Sequence, residues 1–218
     1  MCNHVSTLAV GVTVGAMPLL TTWCAAADIV VPLDQPTIQA AVNGAANDDE
    51  IVLAPGTYRG PGNVDVEFRG KRLTVRSSTD DPADVIIDCE GTARAFRLVG
   101  ESSSGTVFRG LHVVNGYSAR GGAIHVTGAD VTIEKCHFTN NEAIDSGGAI
   151  WLLDSVSELE SCRFHANGAA EDGGAVVSMD GHVTIDRCKF LGNATQMHGA
   201  GVATSSISVI TNTVFSGN

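Results

Sequence analysis

GGAIHVTGADVTIEKCHFTNNEAIDS, residues 121–146, is followed without a gap by GGAIWLLDSVSELESCRFHANGAAED at 147–172 and GGAVVSMDGHVTIDRCKFLGNATQMH at 173–198. Three units of 26 residues with glycine pairs, a cysteine, a phenylalanine and an asparagine in matching places form an internal repeat. A unit of this length cannot bury an apolar face alone and must stack on its neighbours. From Gly199 a further unit keeps GAGV and reaches Phe215 and Asn218 one residue early. Upstream, AFRLVG at 95–100 takes the place of GGAIHV, but Leu111 and Val113 fall one residue off the Cys and Phe positions.

The alternation inside a unit is short and changes phase. Val131 and Ile133 share a face, Glu134 and Lys135 are both polar, and Cys136 and Phe138 resume the apolar side. A period of two broken by a double polar step is two short strands meeting at a corner, and GGAIHV supplies a third. Stacking coils about 4.8 Å apart gives each strand a parallel neighbour and one continuous core. The fold expected is therefore all-β, a right-handed parallel β-helix of about 26 residues per coil. Its columns are an asparagine ladder (Asn115, Asn141, Asn167, Asn193, Asn218), a cysteine column (Cys136, Cys162, Cys188) and a phenylalanine column (Phe138, Phe164, Phe190, Phe215). Stacked amides can hydrogen-bond from coil to coil. A leucine-rich-repeat horseshoe is the competing solenoid, but its leucine spacing is absent and no helix-period segment lies in the repeat.

The 36–46 segment predicts a short capping helix with Pro36 at its first position and Ile38, Ala41 and Val42 on one face, able to plug the end of the core. Residues 28–60 are read as this cap and the first strand, within DEIVLAPGTY, and residues 61–218 as coils. The chain stops in mid-repeat, which reads as a truncated piece. Residues 1–27 read as a secretory signal: an apolar stretch over 5–20, Pro18 near its end, and Ala25-Ala26-Ala27 as a small-residue cleavage site before Asp28. Its leading residues hold His4 but no Lys or Arg, and a buried helix is the competing reading. Trp23 argues against a lipid-anchored Cys24. Cleavage removes Cys2 and Cys24 and leaves Cys89 and the column of three. No later apolar run approaches the roughly 20 residues of a membrane-spanning helix.

Acidic side chains outnumber basic ones 24 to 13, for a net charge of −11, and no Lys/Arg cluster has the density that nucleic acid requires. Aromatic residues make up only 5% of a chain that is 44% hydrophobic, which suits one elongated domain.

The GGA[IV] and FxxN pair, with cysteine two residues before the phenylalanine, resembles the repeats of polymorphic outer membrane proteins. TIQAAV, EIVLAPGTY and VIIDCEG together with the repeats look like the pectin-lyase-like right-handed β-helix superfamily, from about Pro36 onward. The first resemblance implies a secreted or surface-exposed passenger, often adhesive, at the outer membrane; the second covers enzymes and non-enzymes alike.

Polysaccharide enzymes on this fold need carboxylates flanking a glycosidic bond, or calcium-binding carboxylates with a basic residue. The NTD and GHG signatures of polygalacturonases and the DPHE of alginate epimerases are absent. Asp48-Asp49 and Asp80-Asp81 read as turn formers, and His182 and His198 stand without a placed acid partner. An outward column of Glu134, Glu160 and Asp186 would repel itself unless calcium or a neighbour among Lys135, Arg163, Arg187 and Lys189 compensates. Cysteines 26 apart on adjacent rungs do not match zinc spacing and are expected as buried free thiols, with a rung-to-rung disulfide as the alternative.

Loops at 139–146, 165–172 and 191–198, carrying Glu142, Asp145, Glu171 and Asp172, are expected to form the binding side. The function expected is a non-catalytic surface protein binding glycans or other proteins, without a cofactor. A pectate-lyase-like enzyme with unrecognised catalytic coils is the alternative. The last rung, as a bare parallel edge, invites end-to-end self-association.

Overall fold

The computed structural model describes residues 26–100, 103–205 and 207–218. Most of the secretory-signal reading, residues 1–25, lies outside them. Because apolar residues alternate in runs of three to five between polar corners, each regular unit makes short strands rather than one long one. The strands stack in parallel register, coil upon coil, into a solenoid of four sheets.

The eight-stranded sheet contains Asp28–Val31, Glu50–Leu53, Thr74–Ser77, Thr106–Arg109, Val131–Glu134, Val156–Glu160, His182–Asp186 and Ile207–Thr211. The seven-stranded sheet contains Gly56–Tyr58, Val85–Asp88, His112–Val114, His137–Thr139, Arg163–His165, Lys189–Leu191 and Val214–Ser216. The six-stranded sheet contains Val66–Glu67, Phe96–Val99, Ile124–Thr127, Ile150–Leu153, Val176–Met179 and Val202–Thr204. A four-stranded sheet contains Tyr117–Arg120, Glu142–Ser146, Gly168–Ala169 and Ala194–Thr195, the last three within segments read from sequence as loops.

The corners explain the double polar step. Lys135, Ser161, Arg187 and Asn212 adopt left-handed backbone, with φ of 50°, 55°, 53° and 49°. One residue in that region turns the chain between two strands, so the polar residue beside it ends a strand and both point outward. At the glycine pairs the requirement is stricter. Gly147 has φ of 69°, and a Cβ there would lie 2.5 Å from the Ile150 carbonyl oxygen. A Cβ on Gly148 would lie 2.2 Å from the Gly174 carbonyl oxygen and 2.4 Å from that of Gly168. The backbones of successive coils touch here, and no side chain fits between them.

The N-terminal end differs in detail from the expectation. The helix is Ile38–Gly44, and Pro36 precedes it. Thr37 is the cap, its side-chain oxygen accepting from the Ala40 N–H at 3.2 Å; an extended capping residue leaves no helical position for Pro36. The helix ends where Ala45 turns extended, and Lys71 Nζ donates to the carbonyls of Val42, Asn43 and Ala45 at 2.8, 2.9 and 2.8 Å. Ile38, Ala41 and Val42 are buried on the core. The strand Asp28–Val31 precedes the helix and pairs with Glu50–Leu53, so the sheet begins one strand earlier than the sequence reading placed it.

Candidate functional site

The inward columns are structural. Asn167 Nδ2 donates to the Asn193 side-chain oxygen at 3.0 Å and to the Phe138 carbonyl at 3.0 Å, while its own Oδ1 accepts from Asn141 Nδ2 and the Asn141 backbone N–H at 2.9 and 3.0 Å. Asn193 repeats the pattern onto Asn218 at 2.8 Å. Asn115 does not join this ladder. The register pairs His112 with His137 and Val114 with Thr139, a step of 25, which sets Gly116 rather than Asn115 level with Asn141. Asn115 instead has φ of 55° and donates to Asp88 at 2.9 Å, and Asn141 Oδ1 accepts from the Gly116 N–H at 2.8 Å.

Cys89, Cys136, Cys162 and Cys188 are buried free thiols. Cys162 and Cys188 point their sulfurs at the Ile133 and Leu159 carbonyls of the preceding coil, at 3.3 and 3.4 Å. Burial pushes the Cys136 thiol up to about 12 and raises Cys162 well above its ordinary range, which favours the protonated thiol in both. Among the described residues, no group of three or more His, Cys, Asp or Glu converges as a metal site would require.

Glu134, Glu160 and Asp186 do stand in register on the eight-stranded sheet. Of the four basic residues expected to compensate them, only Arg187 does: it pairs with Glu160, and with Asp186 at 2.5 Å. Hydrogen bonds from Thr211 and Asn212, at 2.7 and 2.8 Å, hold the Asp186 carboxyl below its usual range, with Arg187 adding to the effect. Lys135 reaches toward Asp80 at 4.0 Å instead. His198, unpartnered as read from sequence, hydrogen-bonds Asp172 through Nδ1 at 2.9 Å, because the two lie on adjacent coils. Asp145 lies 3.5 Å from Arg120.

One concave feature among the described residues is an open groove of about 690 Å³ beside the four-stranded sheet. Tyr117, Glu142, Gly168 and Ala194 follow one another in register along it, so the groove runs across four coils. Its floor is small, with Gly168, Ala169 and Ala194. Tyr117 and Ile144 border it, 40% and 53% exposed, and Glu142, Thr195 and Gln196 add polar groups. Of the acidic loop residues singled out from sequence, Glu142 lines the groove. Tyr117 and Ile144 were missed because EAIDS does not alternate: Ala143 and Ser146, three residues apart, are the buried positions, and the pairing with the preceding coil shifts register here.

A crystal structure of the pectin methylesterase of Aspergillus niger is similar to this chain, at 13% identity and a TM-score of 0.44, over 88% of this chain and 86% of that one. A search of curated protein sequences gives no match. The family model described as the right-handed β-helix region matches residues 98–218, which contain all the regular coils. With parallel coils on the page and more than half of its length matched, the chain belongs to the right-handed β-helix family.

Proposed function

We propose that this protein is a non-catalytic binding module of the cell surface or secreted space, and that its groove takes an extended glycan chain. The observation that carries this reading is the groove's course across four coils in register. Three rung steps of about 4.8 Å make a trough of about 14 Å, suited to a linear ligand rather than a compact one. A floor of glycine and alanine leaves depth for a sugar ring. Tyr117 offers an apolar face with a polar tip, and Glu142 and Gln196 offer hydrogen bonds of the kind hydroxyl-rich ligands need. Glu142 is the one carboxylate among the described lining residues, where a glycosidase uses a pair, and the nearby Asp145 lies against Arg120.

The test is calorimetric titration with linear cello-, chito-, manno- and galacturono-hexasaccharides, alongside an assay for new chain ends. Binding to at least one of them without cleavage is expected, with Tyr117→Ala and the groove-filling Ala170→Trp each weakening it at least tenfold. Binding unaffected by both substitutions, or turnover of the bound sugar, would sink the proposal.

A further inference from the structure

One outward column of the seven-stranded sheet changes chemistry along its length. Ile86 stands near its start, His112 and His137 follow on adjacent rungs in direct register, and Arg163 and Lys189 come after. The parallel pairing itself sets the two imidazoles side by side, on strands about 4.8 Å apart. Their ring centroids are 5.7 Å apart and their planes cross at 81°, so the rings meet edge to face rather than stacking.

Both histidines are half-buried, and a turn shelters them. The 78–84 segment packs on the corner that leads into His112: a Cβ on Gly110 would lie 3.0 Å from the Asp80 backbone. Asp80 is engaged by Arg109 at 3.0 Å, whereas Asp81 forms no ion pair among the described residues and acts electrostatically on His137. His112 Nε2 lies 3.0 Å from Thr139 Oγ1, which stands two residues beyond His137 on the same rung. An outer hydrogen bond of this kind fixes the tautomer and orientation of an imidazole that binds a metal through its other nitrogen. His137 makes no side-chain hydrogen bond among the described residues, so its ring nitrogens have no protein partner there. Burial pulls both imidazoles below their ordinary range, and Arg163 adds to the effect, so both are neutral near pH 7 with a lone pair free.

We propose that His112 and His137 form an exchangeable two-imidazole site for a late first-row divalent cation of the zinc and copper class. A metal–nitrogen bond of about 2.0–2.1 Å puts the ion roughly 3.2 Å from each ring centre, so two rings sharing one ion stand at most about 6.4 Å apart. The 5.7 Å between these rings falls inside that limit, and the strand spacing needs no change. Imidazole nitrogen selects such ions over calcium and magnesium, which take oxygen ligands. Two protein ligands fall short of the three or four that hold a resident metal, and Asp81 does not converge with them as a third. Water completes the shell, and the ion comes and goes with its concentration. Asp81 contributes favourable charge from the turn, while Arg163, one rung along from His137, opposes the ion and limits its affinity.

Calorimetric titration of the untagged full chain with zinc at pH 7.5, repeated with calcium and with magnesium, tests this. The parent should take up one more equivalent of zinc than His112→Gln or His137→Gln, each checked by circular dichroism for intact β-structure, and neither calcium nor magnesium should fill that equivalent. His198→Gln removes the other histidine seen beside a carboxylate, Asp172, and should leave the equivalent in place. Arg163→Gln withdraws the neighbouring cation and should tighten the site about threefold or more, a gain that a damaged fold does not mimic. Equal zinc stoichiometry in the parent and both histidine variants, an equivalent that depends on His198 instead, displacement of zinc by calcium, or no gain from Arg163→Gln would each overturn the proposal.

Discussion

The two halves of the solenoid solve the same stacking problem with different means. Downstream of residue 121, Ile124, Ile150, Val176 and Val202 pair in sequence at a constant step of 26. Upstream, the step varies: Glu50 pairs with Thr74 after 24 residues, Gly56 with Val85 after 29, and Thr74 with Val107 after 33. The aromatic residues follow suit. Phe138, Phe164, Phe190 and Phe215 form a column with centroids 4.6–5.0 Å apart and planes within 10° of parallel. Phe68, Phe96 and Phe108 form a knot, with Phe68 edge-on to the other two at 76° and 71°. Where the step holds at 26, or shortens once to 25 as at Phe215, one residue type meets itself on successive rungs and a single interaction is copied. Where it varies, each junction needs its own clamp, such as Arg59 and Asn115 on Asp88, Arg72 on Asp48, or Arg76 on Glu50.

The asparagines offer the largest test of that contrast. Asn167→Ala removes a side chain that serves two coils: it leaves the Asn141 N–H without its acceptor and takes bonds from Asn141 Nδ2 and the Phe138 carbonyl, while the Asn193 amide oxygen keeps the Asn167 N–H. At about 1–3 kcal/mol for an unsatisfied buried group, with the lost bonds added, the expected loss is about 4 kcal/mol. Asn115→Ala breaks one partly buried bond to Asp88, which keeps Arg59, and should cost about 1 kcal/mol. Urea denaturation of both variants decides it. Similar losses would mean that Asn115 does the work of a ladder residue after all.

The same residue shows what could be read in the sequence and what could not. The period, the three main strands and the buried Cys and Phe columns were legible because identical side chains recur at identical intervals. Asn115 also recurs at 26, yet the register between its coil and the next is 25, and spacing in sequence carries no mark of where a coil is shortened. The fourth sheet was hidden because Glu142–Ser146 buries only Ala143 and Ser146, too little apolar content to separate it from a loop. Contacts such as His198 with Asp172 and Arg72 with Asp48 join adjacent coils, which only the folded register brings together. Four cations were noticed as neighbours of the acidic column, and only the structure separates the engaged Arg187 from Arg163 and Lys189, which form no ion pair among the described residues.

His125 lies at the junction of the two halves and sharpens the comparison through pH. It stands in register above Arg97 of the last irregular coil, whereas the regular coils put Trp151 and Val177 at that place. Burial, reinforced by Arg94, Arg97 and Arg120, lowers the imidazole from 6.5 to about 4, and it sits neutral between the Arg120 carbonyl and the Thr127 hydroxyl at 3.4 and 3.1 Å. The folded pKa is the lower one, so the unfolded chain takes up the proton first. The stabilisation is present above about 6.5 and is lost as pH falls toward 4. For a ring still partly exposed, about 1 kcal/mol is expected after allowing for screening. Denaturation at pH 7 and pH 4.5 should show a pH-dependent loss that is smaller in His125→Gln by that amount. An unchanged difference would mean the irregular coil exerts no such influence.

The smallest effect tests whether the regular half carries any clamp of its own. Arg187 bridges the Glu160 and Asp186 rungs, at an exposed corner where ion pairs contribute little, so Arg187→Ala should cost at most about 0.5 kcal/mol. Its removal also leaves the carboxylates of Glu134, Glu160 and Asp186 stacked without a cation. Repulsion along that column is then relieved by a divalent ion at millimolar concentration or by salt. Melting curves with 5 mM calcium should therefore shift upward for Arg187→Ala and stay in place for the parent chain. A calcium shift of equal size in both would mean that the column already binds the ion with Arg187 in place, and that the regular coils rest on a cation rather than on repetition alone.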